Sequence, residues 1–193
     1  GPDFPLSSGQ ARLWVLQRLY PDAAVYNVCG ALDLEGQLDV PALERALTAL
    51  EERHHALRLR IVRRPDDPVG ARQRLVPAGE LRLLSTDLSG EADPTVSADA
   101  LAAADASIAF RLEDDPPVRA RLITLGPSHW RLVVSIHHSA CDGWSMPILL
   151  RDLGNLYARE LGRPAPRMPS LSRHYEDFAA WQREFIESDD GRV

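Results

Sequence analysis

The chain has 193 residues, so at about 150 residues per domain a single domain is the default, with room for a terminal appendage. Hydrophobic residues make up 45% and charged residues 26%, a globular balance that argues against disorder and supports a core without disulfides or metals. With 22 basic and 28 acidic side chains the net charge is −6 and no basic stripe occurs, which argues against nucleic-acid binding, and no apolar run reaches the ~18 residues of a membrane span.

Cys29 and Cys141 stand far apart and are read as reduced thiols of a cytoplasmic protein. The opening Gly1-Pro2-Asp3-Phe4 has no signal-peptide pattern. Gly1-Pro2 is taken as a remnant of tag removal and residues 1–6 as a linker. Ser7 and Gln10 stand at capping-box spacing and start a helix that ends at Pro21-Asp22. Tyr26 to Leu34 reads as a strand. Asp39 is the N-cap of a helix whose Val40, Leu43, Leu47 and Leu50 recur at helical period.

Leu57, Leu59 and Ile61 alternate with Arg58 and Arg60 as in a half-buried strand. Arg63 to Gly79 is a hairpin or loop, Leu81–Leu84 a short strand, Gly90 to Pro94 a loop, and Ala98 to Phe110 an alanine-rich helix. Val118 to Leu125 and Trp130 to Ile136 are the clearest strands. In the second, Trp130, Leu132, Val134 and Ile136 share one face, and extending the alternation points His137 and His138 in opposite directions. Ser145, with Pro147 just inside, starts a helix lined by Ile148, Leu149, Leu153, Leu156 and Tyr157. A proline-rich linker from Gly162 to Pro169 precedes a last helix marked by Tyr175, Phe178, Trp181 and Phe185, and residues 188–193 read as a frayed tail.

The segment with most chemical content is His137-His138-Ser139-Ala140-Cys141-Asp142-Gly143, where a strand ends and a helix begins. Scaffolds present reactive groups at such junctions, and an imidazole there can exchange a proton near neutrality. Cys141 beside two histidines raises the alternatives of a nucleophile or a metal ligand. A nucleophile requires an exposed thiol of lowered pKa, and no second cysteine or ordered carboxylate completes a metal set.

His-His-x-x-x-Asp-Gly after a strand resembles the signature of nonribosomal peptide synthetase condensation domains and their chloramphenicol-acetyltransferase-like relatives. Three further segments agree with it. Ser8-Gly9-Gln10-Ala11-Arg12-Leu13-Trp14-Val15-Leu16 resembles the family's S-x-A-Q-x-R-L-W-x-L helix, with glycine for alanine and the gap one residue shorter. Arg53-His54-His55-Ala56-Leu57-Arg58 resembles R-H-E-x-L-R, with His55 where glutamate is usual. Tyr175-Glu176-Asp177-Phe178-Ala179-Ala180-Trp181-Gln182 resembles Y-x-D-F-A-x-W-Q. The resemblance implies an α/β two-layer sandwich with a mixed β-sheet, residues 7–187 forming the N-terminal lobe of a condensation domain with the C-terminal lobe absent. The opening helix resembles that of domains joining L-residues, and the histidine pair speaks against the heterocyclising relatives.

By the same resemblance His138 is the active-site residue, and His137 and Asp142 are architectural. Asp142 is expected to pair with Arg53, Arg58 or an arginine of the second lobe. Gly143 is expected to lend its N–H to a developing oxyanion, and Arg58 is read as half of an inward structural ion pair. Ser8, Gln10, Trp144 and Ser145 are expected along the channel or just behind it, and Trp14 and Trp181 in packing. The implied reaction is aminolysis of a thioester. No cofactor binds directly, since both substrates ride on the 4'-phosphopantetheine of donor and acceptor carrier proteins. The second lobe and an adjacent adenylation domain are the other partners, and neither nucleic acid nor membrane is. Two further readings remain: an acyltransferase using coenzyme A thioesters, assembled as a trimer or with a second lobe, and a catalytically silent module that docks carrier proteins.

Overall fold

The computed structural model describes residues 2–188. In chain order the elements are β1 (Asp3–Phe4), α1 (Ser8–Leu19), β2 (Asn27–Glu35), α2 (Val40–Arg53), a 3-10 turn (His55–Arg58), β3 (Leu59–Arg63) and β4 (Ala71–Leu75). β5 (Leu83–Asp87), α3 (Pro94–Ala106), β6 (Val118–Gly126), β7 (His129–His137), α4 (Ser145–Glu160) and α5 (Tyr175–Glu187) follow.

Local chemistry sets several of these boundaries. The Gln10 amide donates to Ser7 Oγ at 3.2 Å and Ser7 N–H donates to Gln10 Oε1 at 3.1 Å, closing the capping box of α1. Asp39 accepts from the Ala42 amide at 2.8 Å and starts α2. Asp93 does the same for α3 through Val96, and Pro94 costs nothing at a first turn, where its missing N–H has no helical partner. That helix therefore begins four residues before the expected Ala98. It also ends at Ala106, because Phe110 leaves to pack in a different core.

Two sheets form. One is antiparallel in the order β1-β4-β3. The other has the order β2-β7-β6-β5, with β5 parallel to β6 and the remaining pairs antiparallel. Helices α2 and α4 cover one face of this mixed sheet, Leu43, Leu47, Leu50, Leu149 and Leu153 meeting Val118, Leu122, Leu132 and Ile136. α3 covers part of the other face, where Ala98 meets Ile123, Leu125 and Val133. Trp14 of α1 packs over the small sheet with Leu6, Ile61, Ala71 and Phe110.

Several expectations are corrected. Residues 3–6 are not a linker: Asp3 and Phe4 pair with Arg74 and Gln73 of β4, and Leu6 is buried. The Asp3 carboxylate holds this strand by accepting from Arg74 Nε at 2.7 Å and Arg64 Nε at 2.6 Å. Leu57 and Arg58 lie in a 3-10 turn rather than a strand, and Arg60 is buried against Glu80 instead of facing solvent. On α4, Ile148 is exposed and Asp152 takes a place on the buried face. Trp14 is buried as expected, whereas Trp181 is 58% exposed. Ser188 closes α5 by donating its amide to the Glu184 carbonyl, and the rest of the expected tail lies outside the described residues.

Asp152 joins the two helices of the main layer. Its carboxylate is 1% exposed and accepts from Arg53 Nε at 2.8 Å, His54 Nε2 at 3.0 Å and Arg151 at 2.9 Å. Burial pushes its pKa up, but the donors outweigh burial and leave it below the ordinary carboxylate value. The stabilisation is therefore present above the unfolded-state value and lost as pH falls through the lowered folded one. Asp152→Ala strands Arg53 and His54 without their acceptor. It is expected to cost about 3–5 kcal/mol in urea unfolding, and a loss under about 1 kcal/mol contradicts the assignment.

Candidate active site

β7 runs through the middle of the mixed sheet, and its end is pinned from both sides. His137 N–H donates to the Pro117 carbonyl and His138 N–H to the Tyr26 carbonyl, each at 2.8 Å. Trp130, Leu132, Val134 and Ile136 face the α2/α4 layer, as the alternation predicts, while Val133 faces α3. At the strand end the two imidazoles part.

His137 is 3% exposed, with its ring edge-on to Phe110 at 6.0 Å and Tyr26 at 6.5 Å between centroids. Its Nδ1 accepts the Ser139 amide at 3.1 Å, which leaves the proton of the neutral ring on Nε2. Burial, and secondarily the charge of His138, lower its pKa to about 4. His137 is thus a neutral structural imidazole that ties down the turn after β7.

His138 is exposed and lines an open cavity of about 410 Å³ with Gln10, Arg12, Tyr26, Ala56, Asp142, Ser145 and Tyr175. A larger cavity of about 580 Å³ lies toward α3. Its Arg119 and Arg121 are already paired with Asp115 and Asp105, and neither histidine lines it.

Of the expected partners of Asp142, neither Arg53 nor Arg58 reaches it. Arg53 is engaged by Asp152, and Arg58 donates to the carbonyls of Glu51 at 3.1 Å and Val76 at 2.9 Å rather than forming an inward ion pair. Asp142 instead ties down the turn that enters α4. Its Oδ1 accepts from Ser145 Oγ at 2.6 Å, Ser145 N–H at 2.9 Å and Trp144 N–H at 3.1 Å. These bonds, led by the Ser145 hydroxyl, hold its pKa below the ordinary carboxylate value. A carboxylate just before a helix gains amide donors and the positive end of the helix dipole. α4 starts at Ser145 as expected, and Ser145 also lines the cavity.

Gly143 is exposed, has no left-handed backbone, and a Cβ there would meet nothing within 4 Å. Cys141 is 4% exposed, and burial, then Asp142, push its thiol up to about 11. That removes the nucleophile reading. Among the described residues no group of three or more His, Cys, Asp or Glu side chains is placed to hold a metal ion. Gln10 is buried and donates to Gln73 Oε1 at 2.9 Å, and more weakly to the Ser139 carbonyl at 3.4 Å, coupling α1 to the histidine loop. The two remaining candidates fall elsewhere. Trp144 is 87% exposed and does not line the cavity, and Ser8 donates its amide to Gln182 Oε1 at 2.8 Å as a tie between α1 and α5. Sequence reasoning missed Tyr26 and Tyr175 as cavity walls. The Tyr175 hydroxyl bonds Ser7 Oγ at 2.8 Å, a contact 168 residues apart with no local signal.

The strand thus leaves one imidazole exposed at its end, on a mixed α/β fold, with a buried neutral one behind it. The condensation-domain family model matches residues 2–192, and the chain belongs to that family. It is 37% identical over 187 residues to one of the linear gramicidin synthase proteins of Brevibacillus parabrevis, covering 96% of this chain and 2% of that protein. It is 34% identical over 181 residues to phosphinothricin tripeptide synthetase PhsB of Streptomyces viridochromogenes, covering 93% of this chain and 15% of that protein. Among solved structures, the first condensation domain of the CDA synthetase superposes with a TM-score of 0.82 at 25% identity, over 97% of this chain and 47% of that one. The starter condensation domain of rhizomide synthetase shares the fold at a TM-score of 0.86 and 24% identity, over 97% of this chain and 45% of that one. The chain therefore spans a small part of these synthetases and just under half of each solved chain. Among the described residues no helix is long and apolar enough to cross a membrane.

His137 gives the site a signature in acid. Its folded pKa of about 4 lies below the unfolded value near 6.5, so the unfolded chain binds the extra proton first and stability falls as pH drops between them. The full effect is about 3 kcal/mol. His137→Asn, which keeps an acceptor for Ser139 but cannot titrate, is expected to flatten the urea midpoint across that window. Parallel pH profiles for the two proteins count against it.

Proposed function

We propose that the chain is the N-terminal half of a condensation domain that forms a peptide bond between two thioesters carried on 4'-phosphopantetheine arms. The acceptor α-amine attacks the carbonyl carbon of the donor acyl or peptidyl thioester. The nitrogen gives up a proton, the pantetheine sulfur leaves and takes one, and the products are an amide and a free thiol. The observation that carries this reading is the parting of the two imidazoles, which leaves His138 alone of the pair open to the cavity.

A free α-amine has a pKa near 8, so an appreciable fraction is neutral at pH 7 and prior deprotonation is a small contribution. The larger gain lies in orienting the amine and accepting its proton as the tetrahedral intermediate forms, typically ~10²–10⁴-fold. His138 fills that role. Asp142 supports it by anchoring the loop to α4, and the N–H of Gly143, in the same loop, is assigned to the developing oxyanion.

Donor and acceptor carrier proteins, the second half of the domain and an adjacent adenylation domain are the partners this chemistry requires. A cytoplasmic setting suits the two free thiols. A related solved domain, from rhizomide synthetase, was crystallised in complex with C8-CoA and Leu-SNAC, which supports a site shared by two such substrates. In a complete domain His138→Ala is expected to lower dipeptide formation at least about 10²-fold while carrier loading persists. Near-normal turnover in a dipeptide assay with loaded carriers rejects the role.

A further inference from the structure

α5 forms one wall of the histidine cavity through Tyr175, yet little apolar contact holds it. Its described buried residues are Glu176 and Ala179, while Phe178, Trp181 and Phe185 remain 43%, 58% and 46% exposed. The helix is seated chiefly by polar bonds: Tyr175 to Ser7, Gln182 to Ser8, Arg183 to Asp67, and Glu176 to His55. Glu176 is 5% exposed; Oε1 meets His55 Nδ1 at 2.5 Å and Oε2 is buried with no partner. The His55 ring is stacked on His174 at 3.5 Å between centroids and 8° between planes. Neighbouring charges are engaged elsewhere: Arg53 and His54 bond Asp152, and Asp177 accepts the His174 amide.

Both ends of this contact adjoin the cavity. Ala56, next to His55, lines one side, and Tyr175, next to Glu176, lines the other. His55 also stands where the resembled motif has glutamate, so here the acid comes from α5 and the base from the turn.

We propose that Glu176 and His55, with His174 stacked behind, are positioning residues that clasp the Tyr175 wall to the Ala56 wall and so set the width of the cavity around His138. The relevance of that width to catalysis rests on the function proposed above; the clasp itself does not. Removing one member of a buried hydrogen bond leaves the other to its full desolvation cost, whereas a substitution that keeps the bond costs less.

The test uses the chain itself, with amide hydrogen exchange and side-chain NMR of the His138 and Tyr175 rings. Glu176→Ala is expected to speed exchange of the α5 amides about tenfold or more and to shift both ring signals, leaving β6 and β7 protected. Glu176→Gln, which keeps an acceptor, should restore both. His55→Ala, at a half-buried position, must give the same pair of changes and covers the case in which Glu176→Ala does not fold. Unchanged α5 exchange, or faster exchange with the two rings unmoved, overturns the clasp. His138→Ala removes one ring signal but leaves α5 exchange and the Tyr175 ring as readouts, so an active His138→Ala domain rejects the proposed function without touching this inference.

Discussion

The site depends on the pleat of β7 being held to its last residue. On an extended strand adjacent side chains point to opposite faces, so consecutive histidines are separated by backbone geometry alone. That separation persists only while the strand end stays in register. Here β2 and β6 flank it, pairing Asn27 with His137 and Val118 with Ile136, and the carbonyls of Tyr26 and Pro117 take the last two amides. A slip of one residue would bury His138 and turn His137 outward. The neutral state of His137 belongs to the same constraint, since a buried cation beside Phe110 would cost more than the turn returns.

Acids are handled around this strand in three ways. Asp152 is saturated by side-chain donors from α2 and α4. Glu51, fully buried, accepts the amides of Gly79 and Leu81, yet burial still raises its pKa. Asp142 stays at the surface and draws on amides at the start of α4. These differences explain why the arginines of the Arg53–Arg58 segment do not reach the histidine loop. Arg53 neutralises a more deeply buried charge, and Arg58 fixes the backbone between α2 and β4. An ion pair to the exposed Asp142 would gain less, because water already solvates that carboxylate.

The cavity is assembled from pieces distant in the chain. Gln10 comes from α1, Ala56 from the turn after α2, His138 and Asp142 from the loop after β7, and Tyr175 from α5. Gln10 and Tyr175 are tied to one another through Ser7, whose backbone and hydroxyl meet them in turn. The capping box that starts α1 therefore also fixes a corner of the site, which joins local helix chemistry to the placement of a wall.

Features that arise within a few residues were legible in the sequence. The Ser7–Gln10 box, the Asp39 cap, the alternation of β7 and the opposed imidazoles are all of this kind, and each appears in the fold. The four motifs, taken in order, also pointed to the family. Pairing across the chain decided the rest. Asp3 and Phe4 look like loose termini until β4 lies beside them, and Arg60 looks solvent-facing until Glu80 covers it. The sequence shows the charge of Asp142 but not the helix start that bonds it, and it shows His55 as a departure from the motif but not the Glu176 that α5 brings against it. Sequence alone determined which residues are chemically capable and which way β7 turns them, because its periodicity is written along the chain. Only the tertiary structure decided which charges meet, because burial and partner choice depend on elements that approach from far away.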